Sequence, residues 1–128
     1  MSIDSYNYYG RDPHYLGGRL LPYVKQGGML YRSIPGMVRD CHDNLPDCLL
    51  KSWTPEQLDY MHDIAWWRAM IEPTAGVETV SMQPMLCTNE AWEDWLACDN
   101  EYAAGDRAAV EAGALEYLNT IAIVLRKL

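Results

Sequence analysis

The stretch "RAAVEAGALEYLNTIAIVLRK" (107–127) bears most directly on the fold, because its apolar residues recur at regular steps. Alternating steps of four and three residues separate its main apolar positions, Val110, Ala114, Tyr117, Ile121 and Val124, and the next step of four reaches Leu128, just after the stretch. This spacing is typical of an amphipathic helix. With Asp106 as the N-cap, it predicts a helix over 107–127. Leu118 and Leu125 widen the apolar stripe, which favours packing inside a bundle; a dimer seam between two copies is the alternative.

A central helix is predicted upstream by the stretch "TPEQ" (54–57). Thr54 supplies the cap, a proline takes the first helical position and Gln57 the third, which together form a capping box. Pro73 then predicts that the helix ends near residue 72. Apolar residues occur all round this helix, so we expect neighbours on several sides and a core anchored by Trp66 or Trp67.

A third helix is predicted over residues 89–104, with Thr88 or Asn89 as its cap and Gly105 at its end. Asp12 and Pro13 predict a short or kinked helix that ends near residue 27. The remaining patterns are weaker. Two stretches, 29–34 and 75–82, favour short strands, and 33–42 favours a short helix.

These elements predict a mostly α fold, a compact small helical domain with an irregular N-terminal third and one or two short strands. The 128 residues suit a single domain, 1–128. Nearly half of them, 49%, are hydrophobic, so a core can form without a metal or disulfides.

The start of the chain, "MSIDSYNYYGRD", lacks the basic and apolar regions of a signal peptide. No apolar run approaches the ~18 residues of a membrane span. We therefore expect a cytoplasmic protein that does not bind membranes, with Cys41, Cys48, Cys87 and Cys98 as reduced and mostly buried thiols.

Charge is distributed unevenly along the chain. Residues 1–39 carry two acids against five bases, residues 40–106 carry fourteen acids against two bases, and the whole chain has a net charge of −8. A direct nucleic-acid binder needs a basic footprint, which the acidic middle opposes. The same region would attract a basic protein.

The stretch "RDCHDNLPDC" (39–48) concentrates potential metal ligands. Zinc sites usually pair ligands with two to four intervening residues, whereas six residues separate Cys41 from Cys48 and no second matched pair exists. The spacing therefore favours a polar connection between helices, with no metal and no cofactor. Convergence of Cys41, Cys48, His42 and His62 in space stays open, as does a hydrogen-bonded or catalytic role for His62.

The predicted 89–104 helix carries the strongest candidate site. On a helical wheel, Trp92 and Trp95 lie on one side, and four carboxylates lie on the other: Glu90, Glu93, Asp94 and Glu101. The acidic side is either a solvated surface or a recognition surface for a partner rich in Arg and Lys, with the tryptophans as anchors at its edge.

The leading functional hypothesis is therefore a small, acidic, non-enzymatic protein that binds and inhibits a basic protein partner, such as one that handles nucleic acid. By analogy of size and charge alone, such proteins occur among phage-encoded inhibitors of host defence. Two alternatives remain: a small enzyme that uses Arg32, His42 or His62 in a cleft, and a structural homodimer built on the C-terminal helix.

Overall fold

A four-stranded mixed sheet organises the protein. The computed structural model describes residues 1–128 and contains 41% helix and 23% strand. The strands, in chain order, are β1 (Ser2–Ile3), β2 (Met29–Met37), β3 (Val77–Pro84) and β4 (Leu118–Lys127). Their order across the sheet is β1-β2-β4-β3, with β1 parallel to β2 and the other pairs antiparallel. The prediction of a mostly α domain is therefore wrong.

The C-terminal element is a strand and not the helix predicted over 107–127. Ile121, Ile123 and Leu125 are buried at every second position, which is the period of a strand. Thr, Ile and Val are common between residues 120 and 124, and their β-branched side chains favour strands. The helical spacing of apolar residues in the sequence runs across two elements. Gly113, with a φ of +103°, separates a preceding helix from the strand.

The two predicted strands are confirmed: β2 is longer than expected, whereas β3 has the expected length but begins and ends two residues later. β2 continues through Pro35 to Met37, so the short helix predicted over 33–42 is wrong. Pro35 is tolerated because β1 pairs only with Arg32 and Ser33, which leaves the rest of that edge of β2 without a strand partner. Opposite, β2 pairs with β4 along its whole length, from Met29 with Arg126 to Met37 with Leu118.

The predicted central helix over 55–72 is two helices. The capping box of Thr54 and Gln57 is present, but the helix that it starts, α3 (Pro55–Leu58), is one turn long. A second helix, α4 (Ile64–Ile71), begins after Asp63, whose side chain accepts a hydrogen bond from the backbone N–H of Trp66. The helical conformation is interrupted between them, where the His62 carbonyl accepts a hydrogen bond from the Met37 amide of β2.

The predicted 89–104 helix also divides. Helix α5 (Thr88–Leu96) ends before residues 97–100, and α6 (Glu101–Glu111) starts at a new cap, where the Asn100 side chain accepts from the Tyr102 amide. Gly105 and Asp106, expected between two helices, therefore lie inside α6.

The N-terminal third was predicted to be irregular, but it contains β1 and the long strand β2, and only the segment between these strands consists of short turns. It contains α1 (Tyr6–Tyr9), a π-helical turn (Leu16–Leu20) and a 3-10 turn (Leu21–Tyr23), and a further short helix, α2 (Asp47–Leu50), follows β2. A second 3-10 turn, Ala114–Glu116, connects α6 to β4.

Two hydrophobic clusters form the core. The larger packs α1, α4 and the N-terminal turns against one face of the sheet, where Leu30 and Ile34 of β2 lie beside Leu125 and Ile121 of β4. The smaller packs the end of β2 against α2, α3 and α6. Trp67 is fully buried in the larger cluster, which confirms it as an anchor. None of the helices has the length and apolar character needed to span a bilayer.

Candidate functional site: an acidic helix pair above an aromatic cleft

Helices α5 and α6, with the turn that follows them, form a strongly acidic unit that we call the acidic helix pair (residues 88–116). It contains eight carboxylates and one base, Arg107. Seven of the eight are on exposed residues, and the eighth, Asp106, is half-buried. The unit is held together by the Trp95 indole, which donates to Asp106 at 2.9 Å, and by Arg107, which donates to the Leu96 carbonyl.

The predicted contact residues lie in this unit, but on two helices. Glu90, Glu93 and Asp94 are exposed on α5. Glu101 is also exposed but begins α6, so it does not extend the α5 row by helical periodicity. The four acids predicted as a row on one long helix therefore belong to two helices.

Trp92 and Trp95 lie beneath the acids and not at an exposed edge. Both are half-buried and line a cleft of about 450 Å³ between α5 and the sheet. Trp53 closes one side, with its ring edge-on to that of Trp92 at a centroid distance of 6.0 Å. The sequence indicated Trp92 and Trp95 but not Trp53, because only the tertiary fold brings residue 53 to α5.

Polar groups enter this cleft at three points. Asp106 also accepts a hydrogen bond from the Ser52 hydroxyl. The Asn119 side-chain oxygen is buried with no hydrogen-bond partner. Asp4, whose φ of +54° places it in the left-handed region, also lines the cleft, and desolvation raises the pKa of its carboxyl. The sequence offered no signal for these three, which come from distant parts of the chain.

Arg32 does not join the two histidines in one cleft. It lies on the buried face of β2, opposite Ile123, with its guanidinium carbon 5.5 Å from the Tyr6 ring centroid. Its Nη1 donates to the Tyr31 carbonyl and its Nε is buried without a partner. Burial lowers the pKa of Arg32, and no carboxylate forms an ion pair with it.

His42 and His62 do converge, and Asp40 joins them. The two imidazole centroids are 4.8 Å apart, and one ligand atom from each of the three side chains lies within 4.8 Å of the others. His62 Nδ1 is 3.3 Å from Asp40 Oδ2. His62 is buried and stacks on the Trp66 ring at 3.7 Å, whereas Asp40 and His42 are half-buried. The sequence indicated both histidines, but not Asp40.

The cysteines do not complete this cluster. Cys41 is half-buried and directs its thiol towards the Met37 sulfur, and burial raises the pKa of that thiol. Cys48 is half-buried beside the smaller core cluster. Cys87 and Cys98 are exposed, so the prediction of four mostly buried thiols is wrong for these two.

Comparisons with known proteins add no constraint. The chain matches no protein-family model, and no curated protein is detectably similar to it in sequence. Function must therefore be argued from the geometry alone.

Proposed function

We propose that this protein is a non-enzymatic binding protein whose acidic helix pair docks on a basic surface of a protein partner. The observation that carries the proposal is the absence of internal charge compensation. Three carboxylates pair with an arginine, those of Asp59, Glu72 and Glu78, and all three lie outside the acidic helix pair. Its eight acids and one base leave a charge of −7 within 29 residues.

Such a concentration of like charge has a physical cost to the isolated fold. Glu90 and Asp94 are one helical turn apart on α5, and acids at that spacing repel one another. A partner that carries Arg and Lys relieves this repulsion on binding and is drawn in by the field. The charge distribution thus supports a recognition role more than a solvated surface.

The cleft below α5 can supply buried aromatic contacts, which a charged rim alone does not provide. Rim charges mainly accelerate association, whereas buried aromatic contacts slow dissociation. Trp53, Trp92 and Trp95 offer ring surfaces on which a guanidinium can stack. Asp106 places a carboxylate in the same cleft. We therefore propose that an arginine side chain of the partner enters it.

Proteins that handle nucleic acid carry basic surfaces of this kind, because they bind phosphate. A protein that covers such a surface would compete with the nucleic acid, so the proposed consequence of binding is inhibition. The analogy with phage-encoded inhibitors of host defence agrees with this consequence, but it rests on size and charge.

The test begins with the tagged full chain as bait, at low and at high salt, with partners identified by mass spectrometry. Association and dissociation rates with the recovered partner are then measured for the parent and for Glu93→Lys/Asp94→Lys. We expect association to slow by roughly tenfold at low salt, with a weaker salt dependence and a smaller change in dissociation.

The matched control is Asp43→Lys/Glu56→Lys, which makes the same change in net charge at exposed residues outside the acidic helix pair. Circular dichroism establishes that both double variants are folded. If the two variants slow association equally, only net charge matters and the proposed surface is wrong. Replacing Trp92 by Ala should instead accelerate dissociation.

A further inference from the structure

We infer that Asp40, His42 and His62 bind one divalent first-row transition metal ion, with Zn²⁺ as the representative, and that water completes the coordination. This inference is independent of the proposed function. Two imidazole nitrogens and one carboxylate oxygen form a ligand set that zinc accepts in proteins, with an open position left for water. The fold thus revises the expectation of no metal, which rested on cysteine spacing.

The distances suit a small ion. Zinc binds nitrogen and oxygen ligands at 2.0–2.2 Å, so the ligand atoms of a tetrahedral site are about 3.4 Å apart. His62 Nδ1 and Asp40 Oδ2 already stand 3.3 Å apart. The full set spans up to 4.8 Å. The half-buried His42 side chain must therefore shift towards the other two ligands when the ion binds.

His42 already has the outer contact expected of a zinc ligand. Its Nε2 is 3.0 Å from the Leu58 carbonyl oxygen. Since a carbonyl only accepts, Nε2 carries the proton of the neutral ring and Nδ1 carries the lone pair. Metal-binding histidines usually donate their second N–H to a carbonyl or carboxylate in this way.

Asp40 is fixed by a reciprocal pair of hydrogen bonds with Asp63. The Asp63 amide donates to Asp40 Oδ1 at 2.7 Å, and the Asp40 amide donates to Asp63 Oδ2 at 3.1 Å. Oδ1 is thus held by the backbone, and Oδ2 faces His62. Asp63 also caps α4. Through Asp63, the Asp40 carboxylate is therefore linked to the start of a helix.

His62 is the most buried of the three ligands. It is 8% exposed, and its ring stacks on Trp66 with an interplanar angle of 7°. Trp67 packs edge-on to the same ring. An apolar wall on one side strengthens electrostatic attraction at the site. The Asp40 side chain, 30% exposed, leaves a path for the ion and its water on the other side.

The full chain, freed of metal by a chelator that is then removed, is titrated with Zn²⁺ and separately with Mg²⁺ by calorimetry. Co²⁺ serves as a spectroscopic probe. We expect one Zn²⁺ per chain, no comparable Mg²⁺ binding, a tetrahedral Co²⁺ spectrum in the visible range, and a higher melting temperature with Zn²⁺.

Two variants each remove one ligand at a half-buried position, so that the fold is kept. Asp40→Asn retains an oxygen that accepts from the Asp63 amide, and His42→Ala truncates a ring at the surface of the cluster. Each should weaken Zn²⁺ binding by about 100-fold or more and abolish the thermal shift. Asp43→Asn and His14→Ala, at exposed residues outside the cluster, should bind as the parent does.

Three results would overturn the inference: no stoichiometric Zn²⁺ binding by the parent, equal affinity in the two ligand variants, or a strong near-ultraviolet cobalt–thiolate band. The last would assign the metal to the cysteines. Circular dichroism of each variant separates loss of binding from loss of fold, and Asp40→Asn decides the matter if His42→Ala unfolds.

Discussion

At the residue scale, Tyr6 and Arg32 form an unusual buried pair. Tyr6 is 3% exposed and Arg32 6%, yet no carboxylate neutralises the guanidinium. Burial disfavours the charged form of each group, and it raises the pKa of Tyr6 to about 12 even though the nearby Arg32 charge acts in the opposite direction. The free energy of unfolding should therefore depend on pH in the alkaline range.

We predict that the protein loses stability between about pH 10 and pH 12 because of Tyr6. The unfolded chain releases the Tyr6 proton near pH 10, whereas the folded chain keeps it until about pH 12. In this window the unfolded state binds fewer protons, so the free energy of unfolding falls as the pH rises. The difference between the two pKa values corresponds to roughly 2–3 kcal/mol.

Urea unfolding at several pH values from 9 to 12 measures this effect in the parent and in Tyr6→Phe. The Tyr6→Phe variant should show a shallower decline. Tyr23→Phe is the control, because it removes the same hydroxyl from a tyrosine that is 90% exposed. Identical pH profiles for the two variants would show that Tyr6 does not cause the decline.

At the scale of elements, the junction of β2, β4 and the segment before α4 depends on one glycine. A Cβ at Gly36 would collide with Ile121 Cδ1 and would lie 2.9 Å from the His62 carbonyl oxygen. That carbonyl cannot retreat freely, because it accepts from the Met37 amide. The close approach therefore positions His62 as well as the strand end.

We predict that Gly36→Ala lowers the free energy of unfolding by about 1–3 kcal/mol, the usual cost of overpacking. Denaturant titration measures it. Gly18→Ala is the matched control, since a Cβ there meets no atom within 4 Å, and it should change stability by less than about 0.5 kcal/mol. If both variants unfold at the same denaturant concentration, the junction is looser than its contacts indicate.

Local signals predicted some elements well and misled on others. The capping box at Thr54 was correct because cap and partner are only three residues apart. The predicted length of the helix that follows was wrong. The His62 carbonyl accepts a hydrogen bond from the amide of Met37, which is far away in sequence, and this bond competes with continuation of the helix. Asp63 before "IAWW" was an available signal for a second start, since Asp is a strong N-cap.

At the scale of the whole molecule, the sheet and the acidic helix pair differ in how firmly they are held. β4 is hydrogen-bonded on both sides, by β2 and by β3, and contains four buried residues. Helix α5 buries only Thr88 fully and is otherwise exposed or half-buried. Opening of local structure requires less free energy where less surface is buried.

Amide hydrogen exchange should therefore be slowest in β4 and at least about 100-fold faster in α5. Mass spectrometry of quenched peptides, or NMR, resolves the two regions. If α5 is protected as strongly as β4, the protein unfolds as one unit and the acidic helix pair is not a separately mobile surface. Protection that rises in α5 alone when a partner is added would agree with the proposed docking.

The candidate sites were predictable in part at this scale. The exposed acids of α5 followed from helical spacing, which depends only on neighbours in sequence. The aromatic cleft did not, because it gathers residues from 3 to 120. The contact of His62 with Asp40 likewise joins residues 22 apart through the end of β2.

By itself, the sequence determined the strands β2 and β3, the capping box at Thr54 and the concentration of acid in residues 88–116, because each depends on local composition and spacing. Only the tertiary structure decided that residues 118–127 are the central strand. Their apolar pattern satisfies a helical period in part, and pairing with β2 and β3 on both sides selects the strand. The same long-range pairing placed the two histidines beside Asp40, since backbone hydrogen bonds between distant segments override local preference.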